Sequence, residues 1–190
     1  MKTTLTTLAF VAAAMTAQAA PVKYSLDASH SQIVFSYNHI GFSTTYGMYS
    51  GFDGEIMFDA DSPENSSVSV TMPVKSMITG WEKRTGHFMS PDFLNAAEDY
   101  DVTFVSTGIE VTGDKTAVIT GDLTLNGITK AVALDTKINK NDTHPMANKP
   151  WLGFDATASV LRSDFGVGAF APAVSDEVKL IISIEASLAE

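Results

Sequence analysis

The sequence predicts an all-β protein of about eight antiparallel strands, interrupted once by a short helical segment around residues 79–95. Three observations carry that reading. Apolar side chains recur at alternate positions through most of the chain beyond residue 30, the signature of strands with one buried face. Turn signals punctuate the alternating runs, the strongest being Asn126-Gly127 between Leu125 and Ile128, where both central residues tolerate positive φ. Between Ile78 and Asn95 the alternation fails. With 190 residues, 45% hydrophobic and 18% charged, one domain with a substantial core is expected.

In chain order, Lys2 precedes an apolar stretch from Leu5 to Met15, and Ala17-Gln18-Ala19 offers the small-x-small pattern of a signal-peptidase site. Residues 1–19 are therefore expected to be a cleaved export signal, leaving 20–190 as a single domain. The stretch is shorter than the roughly 20 apolar residues a membrane span requires, and no later run is apolar enough to cross. Ile33, Phe35, Tyr37 and His39 then mark a strand. Tyr46, Met48, Phe52, Ile56 and Phe58 share a parity and predict one long strand, curved or bulged at Gly47 and Gly51. Shorter strands are predicted at Ser67–Val74, Val102–Val111, Ala117–Leu125, Thr129–Ile138, Leu152–Arg162 and Val178–Ser187. Thr79-Gly80-Trp81-Glu82 has capping-box spacing and predicts a helix start, and Ser90-Pro91-Asp92 predicts a second. The polar stretch Asn139–Pro150 reads as a surface loop. Eight such strands can close as a barrel or stack as a sandwich; the length of the Tyr46–Phe58 run favours the barrel, whose interior can hold one ligand.

Composition excludes several functions. Twelve basic residues against 22 acidic ones give a net charge of −10, which repels nucleic-acid phosphates. Cysteine is absent, so disulfides, thiolate metal sites and cysteine nucleophiles are excluded. His30, His39, His87 and His144 show no metal-ligand spacing, and no nucleophile elbow, phosphate loop or dinucleotide fingerprint occurs. No catalytic residue or required cofactor is therefore assigned. An exported, acidic, cysteine-free chain fits the bacterial periplasm. By parity, Ile33, Phe35, Met48, Phe52, Ile56, Phe154, Ala156 and Ala158 face the interior, and the small alanines leave room there for a packed element or a void. Arg162 inherits the inward face of its strand. An inward guanidinium needs a partner, and Asp164 shares its parity, which predicts an Arg162–Asp164 clamp that serves second as a ligand contact.

Taken in order, several motifs resemble the YceI-like family of polyisoprenoid-binding periplasmic proteins. They include Asp27-x-x-His30-Ser31-x-Ile33-x-Phe35, His39-x-Gly41-x-Ser43, Gly47-x-Tyr49-x-x-Phe52-x-Gly54, and Ser76-x-Ile78-Thr79-Gly80 with Arg84 and His87. Further along are Gly121-x-Leu123-Thr124-Leu125-Asn126-Gly127 and Arg162-Ser163-Asp164-Phe165-Gly166. The resemblance implies an eight-stranded, lipocalin-like antiparallel barrel, often dimeric, with an elongated apolar cavity for an isoprenoid or similar long-chain amphiphile. The expected function is a periplasmic binding or carrier protein for such a lipid, isoprenoid or quinone-like, contacted by the eight interior residues and Arg162. The rivals are a lipid-modifying enzyme and a stress-protective interaction module whose core is filled by side chains.

Overall fold

A computed structural model describes residues 20–190; the expected export signal lies outside the described residues. Ten strands form one antiparallel sheet: β1 (Val22–Leu26), β2 (Gln32–His39), β3 (Ser43–Tyr49), β4 (Asp53–Phe58), β5 (Ser67–Pro73), β6 (Asp101–Gly113), β7 (Thr116–Leu125), β8 (Ile128–Thr143), β9 (Pro150–Leu161) and β10 (Glu177–Leu188). Eight of them close a circuit, β1-β4-β5-β6-β7-β8-β9-β10, because β10 pairs back onto β1. The expected barrel is thus the fold, and closure disposes of the sandwich.

One strand makes the closure, and it changes partner halfway. The C-terminal part of β10 pairs with β1, Ala186 opposite Leu26. Its N-terminal part pairs with β2, Leu180 opposite Phe35. At one end of the barrel the wall is therefore β1 and β4, and at the other it is the hairpin β2–β3. That hairpin is tied to the helical segment by the reciprocal backbone bonds of Met48 and Ile78, both 2.8 Å.

Four expectations about elements are corrected. The long Tyr46–Phe58 strand is broken at 50–52, where Gly51 takes a φ of +72° open to glycine at no steric cost. The polar stretch 139–150 is not one loop: the ladder continues to Thr143 opposite Pro150, because two exposed polar strands still satisfy one another's backbone groups. The capping box does not form. The helix α1 spans Glu82–Phe88 with Trp81 at its N-cap, and the Thr79 hydroxyl donates instead to the Trp81 carbonyl, 3.0 Å, while meeting Thr85 Oγ1 at 2.8 Å. No helix starts at Ser90. Leu94 and Ala96, 6% and 2% exposed, are drawn into the core, and the chain turns through a left-handed Asn95 to reach them.

These residues join Val74, Met77, Val102, Phe165 and Val167 in the larger of two buried clusters. The smaller is Tyr24, Ile56, Leu152 and Ala186, where β1 meets β4 and β10. Two glycines admit aromatic rings that any side chain would displace. A Cβ on Gly47 would lie 2.3 Å from the Phe35 ring, and one on Gly121 would lie 2.4 Å from the Phe104 ring. Asn126 and Gly127 both take positive φ in the β7–β8 hairpin, as the dipeptide predicts. No helix among the described residues is long and apolar enough to cross a membrane.

Candidate functional site: a two-lobed cavity

The inward faces of the strands do not meet. They enclose two cavities, one of about 920 Å³ beneath α1 and the β2–β3 hairpin, the other of about 360 Å³ toward the opposite end. Ile33, Leu123 and Leu180 line both. Ile33 and Leu180 lie on the adjacent strands β2 and β10, whereas Leu123 lies on β7, so the three side chains form a waist between the lobes. Apolar side chains dominate both linings, as in sites that hold apolar ligands.

Of the residues the sequence points inward, Phe35 lines the larger lobe, Phe52, Ile56, Phe154 and Ala156 the smaller, and Ile33 both. Met48 and Ala158 line neither. In β3 it is Ser43, Thr45 and Tyr49 that face the larger lobe, so Met48 has the wrong parity. The break at Gly51 shifts the alternation by one between β3 and β4, which is why a single parity carried from Tyr46 to Phe58 succeeds in β4 and fails in β3. Ala158 keeps the inward parity and packs on the large cluster, but its neighbours Leu180 and Val160 supply the lining there.

Arg162 reaches the larger lobe and is held by four backbone carbonyls. Its Nε donates to Ser175 at 3.0 Å, Nη1 to Val167 at 2.8 Å and Ala169 at 3.1 Å, and Nη2 to Val174 at 3.1 Å. Burial draws its pKa down, opposed by the charge of Asp176. The expected Asp164 partner is corrected. Arg162 opens a short 3₁₀ turn through Phe165, and once the chain leaves the extended state a two-residue spacing no longer points the same way, so Asp164 is exposed. The carboxylate that does the work is Asp176, which accepts from Ser163 N at 2.8 Å and Ser163 Oγ at 2.5 Å. Those bonds hold its pKa below the ordinary carboxylate value.

The mouth of the larger lobe was only partly visible in the sequence. Tyr37 and His39 continue the β2 parity, whereas Trp81, Lys83, Arg84, His87 and Phe88 come from the stretch without periodicity. His87 packs edge-on to Phe93, centroids 4.9 Å apart, and Phe93 lies 6.0 Å from Phe170 across the mouth. Arg84 donates to the Thr79 carbonyl at 3.3 Å and lies 5.8 Å from the Trp81 ring centroid. Tyr49 faces the same lobe, and burial pushes its hydroxyl pKa far upward, so it stays protonated.

A second polar group stands outside the cavity. Asp27, His30 and Glu185 present ligand-type atoms within 4.8 Å of one another. Their atoms are engaged within the protein: His30 Nδ1 lies 2.7 Å from Asp27 Oδ2, and Trp151 Nε1 donates to Glu185 Oε2 at 2.8 Å. With Asp27 N donating to the Glu185 carbonyl at 2.8 Å and Ser31 Oγ bonded to the Glu185 backbone, the motif pins the place where β10 exchanges β1 for β2.

Fold and cavity together define a closed eight-stranded barrel with an elongated apolar interior. The sequence matches the YceI-like domain over residues 24–186, and the chain belongs to that family. It is 38% identical over 187 residues to a UPF0312 protein of Ectopseudomonas mendocina (strain ymp), and 38% identical over 188 residues to Protein YceI of Escherichia coli O157:H7, in each case over 97% of both chains. Among solved structures, the Campylobacter jejuni YCEI protein is 28% identical, with a TM-score of 0.72 over 80% of this chain and 90% of that one. Two more share the fold at lower identity. Burkholderia cenocepacia BcnA has a TM-score of 0.76 at 23% identity, over 84% of this chain and 98% of that one. A polyisoprenoid binding domain from Saccharophagus degradans has a TM-score of 0.67 at 13% identity, over 88% and 99%.

Proposed function

We propose that this protein is a periplasmic binding or carrier protein for one long-chain amphiphilic lipid, of isoprenoid or quinone-like type, held through both lobes of the barrel. The observation that carries this reading is the two-lobed apolar cavity, open volume where a purely structural module would place packed side chains. Burying about 400 Å² of apolar tail yields roughly 10 kcal/mol gross, before the costs of association, so capture needs no covalent chemistry. The polar atoms of the mouth, on His39, His87, Lys83 and Arg84, fit the head of such a molecule. The polyisoprenoid binding domain of the Saccharophagus protein supports the ligand class, and the apolar stretch before residue 20 supports export. Mass spectrometry of organic extracts from gently purified protein tests the reading. A co-purifying long-chain lipid, unchanged on incubation, is expected; a converted lipid would mean catalysis, and an empty barrel that takes up no added lipid would defeat the proposal.

A further inference from the structure

The two ends of the barrel present different surfaces to solvent. Among the described residues the exposed aromatics are Phe42 (88% exposed), Phe170 (61%), Tyr46 (59%) and Trp81 (58%). Trp81 and Phe170 line the mouth of the larger lobe, together with Ile40, which is 51% exposed. Phe42 stands at the tip of the β2–β3 hairpin between the lining residues Ile40 and Ser43. Tyr46 is on the outer face of β3, which walls that mouth. The backbone holds these pieces in one rim: Ile40 N donates to the Ala173 carbonyl at 3.0 Å, joining the hairpin tip to the 166–176 loop, and Met48 and Ile78 join β3 to the segment that leads into α1.

Charge follows the same division. The lining of the larger lobe includes Lys83, Arg84 and Arg162 and no aspartate or glutamate, in a chain with 22 acidic residues against 12 basic. Glu82 and Asp92 belong to the same segment, but neither lines the mouth. At the opposite end the loop around Ala60 and Pro63 carries the exposed Asp61 and Glu64, the β6–β7 turn carries Asp114 beside Lys115, and the β8–β9 hairpin carries Asp142 with Lys140 and Lys149, so charges of both signs are mixed there. That end has no exposed aromatic side chain.

We propose that the rim formed by Ile40, Phe42, Trp81 and Phe170, flanked by Lys83 and Arg84, docks the barrel mouth-down on an anionic lipid bilayer. Aromatic side chains with one apolar body settle at the level of the headgroups, and neighbouring cations meet lipid phosphates there. A lipid could then pass between bilayer and larger lobe without crossing water. The opposite end, with mixed charges and no exposed aromatic side chain among the described residues, offers such a surface no comparable foothold. The docking rests on the reading of the cavity as a lipid site, but it is measured separately from cargo.

Flotation of purified protein with vesicles tests it, using phosphatidylcholine alone and phosphatidylcholine mixed with phosphatidylglycerol. Wild-type protein is expected to float with the mixed vesicles and to be released by salt. Phe42→Ser, at a side chain almost wholly in solvent, should weaken that binding roughly tenfold, the cost of losing one partly inserted aromatic ring. Phe170→Asn, chosen because asparagine tolerates the left-handed backbone at that position, should do the same. Lys83→Glu should remove the preference for phosphatidylglycerol, while Met146→Ser, at an exposed side chain of the β8–β9 hairpin at the other end, should leave flotation unchanged. Wild-type protein that does not float, floats equally with both vesicles, or is unaffected by Phe42→Ser overturns the proposal. So does a dimer in sedimentation that Phe42→Ser dissolves, since a second copy would then cover the rim. Bound lipid quantified in the same samples separates the two ideas: cargo without flotation defeats docking alone, and flotation without cargo defeats the carrier reading alone.

Discussion

The narrow end of the barrel and the wide end are built from different kinds of sequence. At the narrow end, regular strands run into short connections: β6 passes to β7 through a tight turn, and the strand pairs there keep their register apart from local bulges. At the wide end, β2 and β3 project as a hairpin, a short helix leans over the opening, and the 166–176 loop is folded around the Arg162 guanidinium. Periodic strands make the container, and the aperiodic segments shape its entrance. A lipid tail needs only apolar volume, which alternation supplies anywhere along a barrel. A mouth needs particular side chains at particular places, and these sit on backbone whose direction no two-residue period sets.

Removing the centre of the wide end should have the largest effect. Arg162→Ala takes away the donors to four carbonyls that otherwise face one another around an empty space. Hydrogen bonds to a charged group contribute about 1.5–3 kcal/mol each and do not add, so a loss of about 3 kcal/mol is expected. For a domain of this size that lowers the melting temperature by roughly 10 °C, readable by calorimetry. Asp164→Ala should cost less than about 0.5 kcal/mol because the side chain is exposed and makes no hydrogen bond or ion pair among the described residues, and Asp176→Ala should fall between. If Asp164→Ala matched Arg162→Ala, the carbonyl cradle would not be what holds this loop.

The narrow lobe can be closed without touching the mouth. Ala156 is 8% exposed and lines the smaller cavity, so Ala156→Trp should fill much of its 360 Å³. Octaprenol, long enough to need both lobes, should then bind at least about tenfold more weakly, the equivalent of losing two buried methylenes or more. Farnesol should bind as before in the larger lobe. Equal binding of both alcohols by wild type and variant would show that the ligand never passes the waist at Ile33, Leu123 and Leu180. Met48→Leu, on the other parity, is the control and should leave both unchanged.

How far the sequence could be read follows the same boundary. Ile33 to His39 in β2 and Phe154 to Ala156 in β9 were legible because a strand paired on both sides keeps strict alternation. Met48 was misplaced because the sequence shows Gly51 as a glycine and does not show that its positive φ shifts the count by one. Asp164 was misassigned for a related reason, since the strand becomes a 3₁₀ turn at the very residue from which parity was counted. Lys83, His87 and Phe88 could be placed near one another in the helical segment, but their meeting with Phe170 across the mouth depends on loops brought together by tertiary packing.

The smallest expected effect lies between the two ends, at the seam where β10 exchanges partners. His30 is exposed, and its hydrogen bond to Asp27, helped by the charges of Asp27 and Glu185, raises its pKa above the usual value near 6.5. At Asp27 burial works upward, but hydrogen bonds from Ser29 and His30 prevail and its pKa falls below 3.8. Because the folded pKa of His30 is raised, its contribution to stability is complete below the unfolded value and fades as pH rises through the folded one. Because that of Asp27 is depressed, its contribution is complete above the unfolded value and fades as pH falls through the folded one. The pair therefore supports the seam best between about pH 4 and 6.5. His30→Gln should lower the melting temperature slightly within that window and leave it unchanged at pH 9, with salt reducing the difference. Nuclear magnetic resonance of the His30 ring gives the sharper reading: its titration midpoint should drop toward that of free histidine in Asp27→Asn. A midpoint indifferent to that change would mean that the Asp27 N–H and the Ser31 hydroxyl, both bonded to the Glu185 backbone, hold the seam without help from the ion pair.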